Sequence, residues 1–207
     1  MKQLFESYDK KSINTLPRFL YDGRIHIIQS ETEAERAVDF LLHQPILGFD
    51  TETRPSFKKG RLNKVALLQV ACSDACFLFR LNHMEALPPA VKRLLQDCSV
   101  TKVGLSLHDD LRSLSRRGDF TPGTFIELQD EIQKLGIKDN GLQKIYANLF
   151  GERISKGQQL SNWEADVLTE PQQRYAATDA WACIRIYEEI TRLLKTKEYT
   201  IVEVKSE

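Results

Sequence analysis

An apolar run, Ile46-Leu47-Gly48-Phe49, leads without a break into Asp50-Thr51-Glu52. A strand turns residues i and i+2 to the same side, so both carboxylates leave the end of a sheet in a common direction. Burying two such charges without a cation would cost several kcal/mol. The fold must therefore bring something positive to that strand end or leave it in water. Taken alone, Asp-x-Glu is a common pair that a solvated strand end also explains.

A second constraint comes from Arg174-Tyr175-Ala176-Ala177-Thr178-Asp179-Ala180, inside a long helical pattern from about Glu170 to Leu194. Residues i and i+4 share a helix face, so Tyr175 and Asp179 point the same way. Read blandly, Tyr175 is a core aromatic and Asp179 a surface acid paired with Arg174 or Arg185. A further carboxylate, Asp110, follows the strand-like Val103-Gly104-Leu105-Ser106-Leu107 at a helix start. There it, or Asp109, would also favour the positive helix end. His108 reads as a polar surface residue.

The remaining pattern supplies a mixed α/β frame. Ser30-Glu31-Thr32-Glu33 has the form of a capping box before a helix through Ala34, Ala37, Val38, Leu41 and Leu42. Strands are expected at 46–52, 65–71, 76–81, 101–106 and 124–128, with Ser73-Asp74 turning the second into the third. Helices are expected from Pro88-Pro89 to Leu95, over 110–117 until Gly118, over 131–135, over 142–150 until Gly151, and from Glu170 with Pro171 in its first turn. The order predicts a mixed five-stranded sheet flanked by helices rather than a purely parallel one. Thr200 to Val204 is expected as an edge strand, and the first 25 residues are the least defined.

With 207 residues, 42% of them hydrophobic, the chain can form one domain over 1–207. Lys plus Arg equals Asp plus Glu at 29 each, so phosphate binding would rely on local patches around an acidic centre. Cys72, Cys76, Cys98 and Cys183 lack Cys-x-x-Cys spacing and are expected as buried, reduced thiols. No signal peptide and no apolar run near the roughly 20 residues of a membrane span are present, so a cytoplasmic location is expected, with nuclear or organellar homes left open.

Three segments resemble one family. They are Phe49-Asp50-Thr51-Glu52 with Gly60 to Gln69, Val103-Gly104 through Asp110 to Leu114, and Ser161-Asn162-Trp163 through Asp179-Ala180. The chain resembles the DEDDy 3′–5′ exonucleases over about Ile46 to Tyr187. It is especially similar to the Werner syndrome helicase exonuclease domain and also similar to ribonuclease D. The family's aspartate is followed four residues later by leucine, which fits Asp110 with Leu114 and leaves Asp109 as second option.

The resemblance implies a ribonuclease H-like fold and hydrolysis of terminal phosphodiesters to nucleoside 5′-monophosphates, using two divalent cations, Mg²⁺ or Mn²⁺. It implies that Asp50 bridges both ions, that Glu52 and Asp179 complete one site, that Asp110 holds the other ion and that Tyr175 orients the attacking water. An unperturbed phenol near pKa 10 is a poor base at neutral pH. Lys156, Arg61 and Phe57 are the substrate-binding candidates, Trp163 a packing anchor and Leu68 a strand-packing residue. The partner implied is nucleic acid with a free 3′ end, with no membrane and with protein partners left open. A DNA-directed exonuclease, an RNA-processing one of the ribonuclease D type and a catalytically silent binding module on the same fold are the three readings carried forward.

Overall fold

The computed structural model describes residues 1–56 and 63–203. Its centre is a six-stranded sheet whose first two adjacent strands in the chain are β3 (Ile46–Thr53) and β4 (Val65–Ala71). A hairpin turn at Ser73-Asp74, closed by the Cys72 amide donating to the Ala75 carbonyl at 2.8 Å, leads from β4 into β5 (Ala75–Arg80). Before them in the chain come β1 (Lys2–Phe5), α1 (Lys10–Ile13), β2 (Arg24–Ile28) and α2 (Glu31–Leu41). After them come α3 (Pro89–Gln96), β6 (Thr101–Gly104), α4 (Leu107–Leu114), β7 (Phe125–Glu127), α5 (Leu128–Gln133), α6 (Leu142–Phe150), α7 (Glu170–Thr196) and β8 (Tyr199–Val202).

The strand order is β2-β5-β4-β3-β6-β7. Both pairings of β4 are antiparallel and every other pairing is parallel, so β4 alone runs against the rest. This is the mixed sheet that the sequence predicts, with β3 to β7 as its five expected strands. The sixth, β2, is an addition: its alternating Arg24-Ile25-His26-Ile27-Ile28 pairs parallel to β5 at the sheet edge. The terminal strand falls at Tyr199–Val202 and pairs with β1 in a separate two-stranded parallel sheet; residue 204 lies outside the described residues.

Capping chemistry sets the helix starts. Ser30 and Glu33 form the reciprocal box that opens α2, and Thr169 with Gln172 forms another that opens α7, with Pro171 in the first turn. Each such cap stabilises a helix by about 1 kcal/mol. At 27 residues, α7 is about 40 Å long. No helix among the described residues is long and apolar enough to cross a membrane.

The pleat of β3 divides its side chains between two layers. Leu47 and Phe49 join the layer under α2, α3 and α4, where Phe49 meets Phe125 edge-on at 5.3 Å. Gly48 turns the other way, against α7. A Cβ there would stand 1.9 Å from the Ala180 carbonyl oxygen. Small residues, Ala176, Ala177, Ala180 and Ala182, let α7 settle this close. Alternation then aims Asp50 and Glu52 at α7. Cys72, Cys76 and Cys183 are buried free thiols as expected, whereas Cys98 is exposed, because it lies in the polar turn between α3 and β6 rather than inside either element.

Candidate active site

The face of α7 that packs on β3 carries Tyr175 and Asp179, one turn apart and both buried. Carboxylate oxygens of Asp50, Glu52 and Asp179 all lie within 4.8 Å of one another. The Tyr175 hydroxyl shares the cavity lining with the Asp179 carboxylate, close enough for each group to shift the other's titration. Trp163, fully buried, packs beside the Tyr175 ring at 6.0 Å and so acts as a packing anchor. Asp179 is not a surface acid, and the two arginines considered for it pair elsewhere, Arg174 with Glu170 and Arg185 with Glu152.

Asp110 enters from the first turn of α4. Its Oδ1 accepts a 2.6 Å hydrogen bond from Thr51 Oγ, whose residue stands between Asp50 and Glu52 on β3. Asp109 and His108 are exposed, so of the two adjacent aspartates it is Asp110 that faces the cluster. Thr51 had no role assigned from the sequence. Its position inside Asp-x-Glu was visible, but a 59-residue separation from Asp110 hides the bond.

A cavity of about 310 Å³ opens over these groups, with Leu142 and Gln143 from the start of α6 and Lys156 and Gln159 from the following loop in its walls. Among the described residues no carboxylate of the cluster has an ion-pair partner within 4 Å, and the charge of Lys156 is the cationic influence on Asp179. Phe57 and Arg61 lie outside the described residues, as do 58 and 59. Lys64, Arg112 and Arg116 are exposed, while Arg117 is committed to the carbonyls of Val65 and Met84. Leu68 is buried in the layer away from α7.

The electrostatics follow from crowding acids where water is scarce. Burial, and then the charge of Asp179, push Asp50 up to about 8. Burial, followed by Asp50, Asp179 and Asp110, pushes Glu52 up to about 10. Asp110 rises for the same reasons, burial first and Asp50 second. Asp179 also rises through burial, against the opposing hydrogen bond from Tyr175 and the charge of Lys156. The phenol of Tyr175 is pushed above its ordinary value by burial and by Asp179, so it keeps its proton at neutral pH.

Such a cluster is a poor resting place for four negative charges and a good one for a hard cation. Its donors are all oxygen, three of them close enough to share one ion, which suits a hard divalent cation better than a thiophilic one.

Residues 25–195 match the sequence model of a family described as 3′–5′ exonuclease. A mouse relative, the bifunctional 3′–5′ exonuclease/ATP-dependent helicase WRN, is 35% identical over 161 residues, 74% of this chain and 11% of that protein. The chain thus spans about a tenth of that relative's length. Among solved structures, the Nibbler EXO domain of Aedes aegypti superposes with a TM-score of 0.77 at 21% identity, covering 87% of this chain and 93% of that one. Ribonuclease D of Escherichia coli, an exoribonuclease involved in structured RNA processing, gives 0.74 at 20% identity, covering 83% and 45%.

Proposed function

This chain belongs to the 3′–5′ exonuclease family, and on that premise we propose that it removes nucleoside 5′-monophosphates one at a time from the 3′ end of a nucleic acid, DNA in the first instance. The observation that carries the reading is the convergence of Asp50, Glu52 and Asp179 within 4.8 Å, in one cavity with Tyr175.

In this reading Asp50, Glu52 and Asp179 would hold one divalent ion, and Asp110 with Asp50 would hold a second, Mg²⁺ or Mn²⁺ in each case. The ions would supply charge neutralisation at the phosphate and a water acidified toward hydroxide. Tyr175, its proton retained, orients that water by hydrogen bonding. Attack of the water oxygen on phosphorus breaks the P–O3′ bond, and the proton that the water gives up ends on the leaving oxygen, which becomes the new 3′-hydroxyl of the shortened strand. Lys156, exposed on the cavity wall, meets the phosphate as a point charge. Arg61 and Phe57 remain substrate-binding candidates on the sequence alone.

DNA is put first because the motifs resemble the Werner-type exonuclease especially, and the mouse relative of that type is 35% identical over 161 residues. An RNA substrate of the ribonuclease D kind is the second reading, supported by the fold likeness. Competition between 5′-labelled DNA and RNA of matched sequence tests the choice. Preferential shortening of DNA is expected; preferential shortening of RNA would replace the first reading with the second.

A further inference from the structure

We propose that Glu127 is a positioning residue for Asp110, holding the start of α4 by its backbone so that Asp110 stays beside Asp50. The inference rests on the metal-site reading above and adds to it a residue that touches none of the proposed ligands.

Helix α4 begins under constraint. Ser106, which precedes it, has φ 63° and ψ 34°, a left-handed conformation that L side chains seldom adopt, and its own hydroxyl does not cap the helix. A helix start leaves unpartnered amides. Glu127 takes two of them from 21 and 20 residues away: Oε1 accepts from Ser106 N at 3.0 Å and Oε2 from Leu107 N at 2.8 Å. Its Oε1 also accepts the Gln129 amide at 3.1 Å. The carboxylate is thereby fixed to α5 on one side and α4 on the other.

The frame around this clamp is closely packed. Glu127 ends β7 in register with Gly104 of β6, the strand that delivers the chain to Ser106. At Gly104 a Cβ would stand 2.5 Å from Leu107 Cδ2 and 2.8 Å from the carbonyl oxygen of Phe49, the residue before Asp50. Gln129 extends the clamp, its Nε2 donating to Ser106 Oγ at 3.2 Å and to the Asn140 carbonyl at 2.9 Å, next to the cavity wall. Asp110 lies one turn beyond Leu107, where a shift of the first turn moves it relative to both Thr51 and Asp50.

A purely structural cap would change folding stability and leave the ion sites alone. Mn²⁺ binding to the full chain, measured by calorimetry with the melting temperature alongside, separates the two roles. Glu127→Gln, which keeps the size but turns one acceptor into a donor facing an N–H, is expected to weaken Mn²⁺ binding about tenfold. Adding Glu127→Gln to Asp110→Asn is expected to weaken binding no further than Asp110→Asn alone, because both act through one carboxylate. Glu127→Asp, which keeps both acceptors on a shorter stem, should fall between wild type and Glu127→Gln. Wild-type Mn²⁺ affinity in Glu127→Gln, or a loss that adds in full to that of Asp110→Asn, would overturn the proposal. If Glu127→Gln does not fold, Glu127→Asp decides it: weaker binding at an unchanged melting temperature supports the clamp and unchanged binding overturns it. Undiminished Mn²⁺ binding in Asp50→Ala would instead overturn the metal-site reading beneath.

Discussion

Thr51 Oγ donates a 2.6 Å hydrogen bond to Asp110 Oδ1 and so ties the strand that carries Asp50 and Glu52 to the helix that carries Asp110. Supporting hydrogen bonds of this kind are commonly worth 10- to 100-fold in metal affinity or activity. Thr51→Val, which keeps the shape and loses the donor, should therefore lower turnover by about tenfold, and Thr51→Ser should retain most of it. Steady-state kinetics at saturating metal check this; full activity in Thr51→Val would remove the bond from the account.

The acids of the cluster predict an unusual pH dependence of stability without metal. Their folded pKa values are raised above the unfolded values near 4, to about 8 for Asp50 and Asp110 and about 10 for Glu52, so from pH 4 up through those values the folded chain binds more protons than the unfolded one. Their contribution is favourable to folding at the acid end of that window and is lost as pH rises through it. In chelator, the melting temperature should be lower at pH 9 than at pH 6, and the stabilisation by Mg²⁺ should grow over the same range. Thermal melts with and without chelator read both effects.

Asp50→Asn should stabilise the metal-free protein while abolishing turnover, since it removes a charge that burial and Asp179 oppose. A gain of about 1–3 kcal/mol is expected in urea unfolding at pH 8, one pKa unit being 1.36 kcal/mol. A loss of stability would mean that the carboxylate is held by favourable contacts.

Tyr175→Phe removes the hydroxyl that the proposed mechanism uses to orient water, but leaves the carboxylates in place. It should lower kcat by up to about 10²-fold with little change in KM. Pre-steady-state turnover on a short oligonucleotide measures it, and an unchanged kcat would assign Tyr175 to packing alone.

Gly48→Ala tests the seat of α7. With the new Cβ 1.9 Å from the Ala180 carbonyl oxygen, the backbone of α7 must give way, and Asp179 sits in that stretch of helix. Overpacking of this kind costs about 1–3 kcal/mol, so a lower melting temperature and a loss of turnover are expected together.

Much of this arrangement can be read from the chain, and the exceptions share a cause. Period and capping locate β3, α2 and α7, and strand alternation together with the i, i+4 rule gives the directions of Asp50, Glu52, Tyr175 and Asp179. Strand β2 is harder to read, because an edge strand that exposes Arg24 and His26 is short and half polar. Thr51 to Asp110 and Glu127 to Ser106 are pairings between distant segments, which no local pattern encodes. Arg80 illustrates the same point. Within the expected strand 76–81 nothing local marks its role, yet it is buried and donates to the carbonyls of Ala165 and Asp166, holding the loop before α7.

The most direct test of the central claim is the product ladder from a 5′-labelled oligonucleotide in Mg²⁺ or Mn²⁺ and in chelator, with Asp50→Ala as control. Stepwise shortening from the 3′ end that requires both the metal and Asp50 is the predicted result. A ladder that persists in chelator or in Asp50→Ala, or no shortening of any DNA or RNA by the metal-loaded wild type, would contradict the account.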